Sequence, residues 1–160
     1  MKVLIAYDGT LQAKVALRYG LEKVKENGGE LIALHVFNRN LFIHYDAVPR
    51  VEEVARRESA RYVKEAEIII REEGKGVKAS IIMEEGDPES EILRYAEAEH
   101  INVFLCPTHY RSIVKKFRKI LNDRVETSIY FHKSSPSSGI PSDGVTIYAA
   151  STLDVQKVIW

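Results

Sequence analysis

Two short stretches hold the residues best suited to chemistry. Asp8-Gly9-Thr10 sets a carboxylate and a hydroxyl on either side of a permissive glycine, and Pro107-Thr108-His109-Tyr110-Arg111-Ser112 gathers a hydroxyl, an imidazole and a guanidinium ahead of Lys115, Lys116, Arg118 and Lys119. Thr108, His109 and Arg111 have the makings of an anion site, and the basic residues after them can hold phosphates as point charges. Each group also has a plainer reading: Asp8 as a turn or cap residue, the second stretch as an exposed polar loop, and the basic series as a solvated helix face. Catalysis finds less support. Asp8 and His109 have no nucleophile at a strained turn beside them, and no Ser-His-Asp, Cys-His or paired-carboxylate arrangement is visible, so an enzyme is not expected. His35 continues an apolar run as a core or crevice residue. With His44, His100 and His132 it shows no metal-ligand spacing, so no metal is expected. Cys106, closing an apolar run, reads as a small core hydrophobe rather than a redox sensor.

The elements that must position these residues alternate in type. Val3 to Tyr7 is too short for a helix and too uniformly apolar for a half-exposed strand, so it predicts a buried parallel strand. Thr10 then stands as an N-cap before the stripe Ala13, Ala16, Leu17, Gly20, Leu21 and Val24, which Asn27-Gly28-Gly29 stops. Leu31 to Phe37 predicts a second strand, parallel to the first through a right-handed crossover. After an irregular stretch, Val51, Val54, Ala55, Tyr62, Ala66, Ile69 and Ile70 mark a long helix with a heavily charged outer face, and a third strand follows over about Val77 to Met83. Asp87 and Pro88 open a third helix as N-cap and first helical residue, with Ile92, Leu93 and Ala96 inward. Asn102 to Cys106 predicts a fourth strand, and Ile113, Val114, Phe117, Ile120, Leu121 and Val125 a fourth helix. Such alternation argues for a doubly wound α/β sheet, where ligands bind beyond the carboxyl ends of the strands at the reversal of strand order. If strands one and four are neighbours, the two chemical stretches face each other there.

The tail has a different character. Residues 133–144 include a Ser/Pro/Gly-rich run expected to form a flexible loop, Val145 to Ala150 predicts a fifth strand, and 151–160 form a C-terminal extension. Tyr130, Phe131, Tyr148 and Trp160 make that end a candidate oligomer contact. All 160 residues fit one domain with a sizeable core. A single Cys excludes an intrachain disulfide and a disulfide-stapled scaffold. No apolar run approaches the roughly 18 residues that span a bilayer, and Asp8 interrupts any secretory signal, so a cytoplasmic protein is expected. The charge is balanced, 23 basic against 23 acidic residues, which gives no support for nucleic acid or membrane as a partner. Locally it is uneven: 84–99 carry seven acidic residues against Arg94, and 111–124 six basic residues against Asp123.

At these residues the sequence resembles the universal stress protein family. Val3-Leu4-Ile5-Ala6-Tyr7-Asp8-Gly9-Thr10 is similar to the family's first strand and Asp-Gly-Ser/Thr turn, and Leu34-His35-Val36 to its second strand. Gly86-Asp87-Pro88 with Ile92, Leu93 and Ala96 is similar to the start of its third helix, and Asn122-Asp123-Arg124-Val125 to its fourth; the resemblance covers about residues 1–131. It implies a Rossmann-like, adenine nucleotide alpha hydrolase-like fold: one open parallel five-stranded sheet of order 3-2-1-4-5, helices on both faces, usually dimeric. One branch of the family binds ATP through G-x-x-G, nine residues and G-[S/T] after strand four, where Asp8 would contact a ribose or a cation. Glycines there bring backbone N–H groups to the phosphates. Here Pro107 and Tyr110 stand at the first two glycine positions and Lys119 or Ile120 at the third. Pro107 has no N–H to donate and Tyr110 adds bulk.

The expectation is therefore a non-enzymatic stress-response or adaptor module without family-type ATP binding and with no cofactor, dimeric through the fifth strand and C-terminal segment. The alternative is a nucleotide- or small-anion-binding protein, with ATP or AMP as candidate ligands. Its pocket would lie between Asp8, Thr10, Val36, Pro107, Thr108 and His109, with the phosphates on Arg111 and Lys115.

Overall fold

The structure is a computed structural model that describes residues 1–42, 49–107, 113, 116, 125–127 and 145–150. Among the described residues six strands form one parallel sheet. In chain order they are β1 (Lys2–Ala6), β2 (Glu30–Phe37), β3 (Lys78–Glu85), β4 (Val103–Pro107), β5 (Val125–Thr127) and β6 (Val145–Ala150), arranged β3-β2-β1-β4-β6-β5. Helices α1 (Leu11–Asn27), α2 (Pro49–Glu73) and α3 (Pro88–Ala98) connect the first four strands. The strand order reverses between β1 and β4, which places the switch point where the sequence analysis looks for a site.

Alternation along β1 and β4 divides the core. Val3, Ile5, Tyr7, Val103 and Leu105 face α1 and α2, meeting Ala13, Leu17, Leu21, Ala66 and Ile69, whereas Leu4, Ala6, Phe104 and Cys106 meet Ile92, Ala96 and Ile113 on the α3 side. A strand buried on both sides must be apolar throughout, as β1 and β4 are. Gly20 keeps α1 close to the sheet, since a Cβ there would lie 2.8 Å from Leu31 and 3.0 Å from Leu105. The caps form as predicted: Thr10 Oγ1 accepts from the Ala13 amide at 3.2 Å, and Asp87 Oδ2 from the Ser90 amide at 2.9 Å.

At about 1.5 Å per residue the 25 residues of α2 run about 37 Å, against about 26 Å for the eight of β2. Arg56 marks where the excess begins. It pairs with Glu85 at 2.5 Å and stacks over Phe37 at 4.6 Å, and these are the last residues of β3 and β2. The first two turns of α2 therefore rise past the carboxyl ends of the strands.

The sheet agrees with the expected order through β4, and Val145–Ala150 takes the expected place beside it. One strand is additional. Val125 falls in β5, in register with Val145, and not in a fourth helix. Its β-branched side chain, with that of Thr127 two residues on, favours the extended backbone over a helix end. β6 is consequently one place in from the edge. The remainder of the fourth-helix stripe apart from Ile113, the Ser/Pro/Gly segment and residues 151–160 lie outside the described residues. Among the described residues no helix is long and apolar enough to cross a membrane.

Candidate functional site

Geometry at the switch point begins with the ladders. β1 and β4 are paired from Val3↔Val103 to Ile5↔Leu105, while the β4–β6 ladder continues to Pro107↔Ala150. The sheet thus opens between β1 and β4 above Leu105. Register on the other side carries Ala6 against Leu34, so Asp8 and Val36, each two residues further on, stand at one level. Val36 is half-buried and packs on the α3 side. Pro107 is buried at the end of β4 and contributes a carbonyl but no donor. Three of the predicted site residues, Asp8, Val36 and Pro107, are thereby placed about the opening, with Thr10 at its rim. Thr108, His109, Arg111 and Lys115 lie outside the described residues.

The β1 turn is closed by its own side chains. Asp8 Oδ1 accepts from the Thr10 amide at 3.1 Å and from Thr10 Oγ1 at 2.5 Å, and Thr10 in turn caps α1. This geometry favours the turn-and-cap reading of both residues. Between them Gly9 has φ +78°, and a Cβ built on it would fall 2.3 Å from the Tyr62 ring. α2 therefore lays Tyr62 directly across the turn, and only glycine leaves room for it.

Beneath Tyr62 lies a polar pair that the sequence analysis did not connect. His35 meets the Tyr62 ring edge to face, with centroids 5.9 Å apart, and its Nδ1 donates to the Tyr7 carbonyl at 2.8 Å. That bond leaves neutral His35 with an acceptor at Nε2, and both Nε2 and the Tyr7 hydroxyl are buried without a hydrogen-bond partner among the described residues. Burial pushes the His35 pKa down, against a smaller upward pull from the Tyr7 hydrogen bond. It pushes the Tyr7 phenol up, helped by Glu65 and Asp8. The predicted core role of His35 holds, since it is 6% exposed. Tyr62 could be found in the sequence only as one residue of a helical stripe; its contact with Gly9 spans 53 positions and has no local signal.

Lys116, from the basic series, forms an ion pair with Glu89 in the first turn of α3, which joins the basic and acidic segments. Cys106 is buried and its thiol is pushed up to about 12, chiefly by that burial, as suits a core hydrophobe. Among the described residues no three His, Cys, Asp or Glu side chains are grouped to hold a metal ion.

The fold recurs in solved structures. A protein of the universal stress protein family from Burkholderia pseudomallei superposes with a TM-score of 0.62 at 19% identity, over 93% of this chain and 96% of that one. A universal stress protein from Archaeoglobus fulgidus gives a TM-score of 0.56 at 17% identity, over 72% of this chain and 87% of the other. At such identities the agreement concerns the fold alone. No curated protein matches the sequence. The model of the universal stress protein family matches residues 1–119, from β1 through β4 and beyond, and on that match the chain belongs to the universal stress protein family.

Proposed function

We propose that this protein is a non-enzymatic stress-response or adaptor module, cytoplasmic and dimeric, that does not hold ATP in the manner of the family's nucleotide-binding branch. Family membership supports a stress-response domain. The observation that carries the absence of family-type ATP binding is Pro107. It ends β4, where a phosphate cradle would draw its first backbone donor, and it has no N–H. Tyr62 over Gly9 further reduces the room at the neighbouring turn. The partner surface of this reading lies at the β5–β6 end of the sheet with the C-terminal segment.

A second reading keeps the opening as a nucleotide or small-anion site. It is favoured by the early end of the β1–β4 ladder and by Asp8 and Val36 standing level beside it. Phosphates would then rest on Arg111 and Lys115. Titration calorimetry of the full chain with ATP, ADP and AMP separates the two: no stoichiometric heat is expected, and clear one-to-one binding overturns the first reading. Binding that Lys115→Glu weakens by more than about tenfold, or about 1.4 kcal/mol, would establish the second.

A further inference from the structure

Among the described residues β3 ends the sheet on the side away from β6 and is paired on one side only, with β2 along all eight of its residues. An unpaired strand edge offers a row of N–H and C=O groups to another chain unless charge or covering blocks it. Here the middle is open. None of the eight residues is fully buried, Ser80-Ile81-Ile82-Met83 carries no charge, and Met83 is 46% exposed. Charge is confined to the ends and differs in sign between them: Lys75 and Lys78 at the start, Glu84, Glu85 and Asp87 at the finish. A parallel neighbour of the same sequence would set like charges side by side, whereas an antiparallel one sets them opposite in sign.

Symmetry narrows the register. Residues opposed across an antiparallel pair share a face, so a two-fold axis normal to the sheet must pass through a residue and not between two. With Ile81 on the axis, Lys78 stands opposite Glu84, Ser80 opposite Ile82 and Ala79 opposite Met83 of the second copy. With Ile82 on the axis, Lys78 meets Gly86 instead and the match is lost. The Lys78 side chain is 81% exposed while it touches Glu30 at 3.0 Å, and the Glu84 carboxylate, which accepts from the Tyr95 hydroxyl at 2.7 Å, has further acceptor capacity. We propose that β3 is a self-complementary edge that docks antiparallel on β3 of a second copy, with Ile81 on the two-fold axis and Lys78–Glu84 pairs on either side.

Equilibrium sedimentation of the full chain tests this. Lys78→Glu and Glu84→Lys should each weaken association by about tenfold or more, because each places two like-charge pairs in the interface, and the double reversal should restore it. Ile81→Cys should give a disulfide-linked dimer on mild oxidation, since Cys106 is buried and does not compete. Association that ignores both single reversals, a double reversal that fails to restore it, or Ile81→Cys that stays uncrosslinked overturns the proposal. Such a result leaves a dimer at the β5–β6 end untouched, so the two contacts fail separately.

Discussion

Burial holds the His35 imidazole neutral, so protons oppose this fold at one identifiable atom. Protonation would place an N–H on Nε2, where none of the described residues supplies an acceptor. Asp8 pulls the pKa upward through space, but desolvation is the larger effect and the net shift is downward. The unfolded chain takes up the proton near the ordinary value of 6.5, the folded one only at lower pH. Stability from neutral His35 is therefore complete above that value and is lost as pH falls from it toward the folded pKa, by about 1.4 kcal/mol for each unit of depression. Thermal denaturation of wild type and His35→Leu between about pH 7 and 5 should show a flatter dependence in the variant, and equal slopes would contradict the assignment. His35 itself was legible as a core or crevice residue because it interrupts an apolar strand. Its environment was not, because the Tyr62 ring reaches it from a helix whose docking depends on the whole α2 face.

At the scale of elements, capping was the most legible feature because its chemistry is local. Asp87 and Pro88 announce α3 within two positions, and the structure returns the bond from the Ser90 amide together with one from the Ser90 hydroxyl at 2.8 Å. These bonds hold the Asp87 carboxyl below its usual range. Asp87→Ala should cost about 1 kcal/mol in denaturant unfolding, and Asp87→Ser much less, since serine also caps. Val125 shows where local reasoning fails: apolar spacing placed it on a helix, while the ladder with β6 makes it a strand residue. A single Val ending a stripe fits both periods, and a partner 20 residues later decides between them. The overhang of α2 was equally hidden, since a helical pattern gives its own length but not that of the strands beneath it.

At the scale of the molecule, neutrality is a balance of segments that meet. The acidic run holding Glu89 and the basic run holding Lys116 are joined by their ion pair. With a pI near 7.0, the chain has little net repulsion at neutral pH. Static light scattering should therefore show the strongest intermolecular attraction within about one unit of pH 7, falling toward pH 5 and pH 9. A minimum elsewhere would mean that the summed charge does not govern solubility. The central place of β1 has a further consequence, for synthesis. Its pairing with β2 joins Val3 to Leu31, but its other side waits for Val103, a hundred residues later. At about 5–20 residues per second, a ribosome takes roughly 4–14 s to go from Leu31 to Val103. During that time the most apolar strand of the nascent chain has one edge paired and the other bare, and the sheet is completed from its middle only after β4 has emerged.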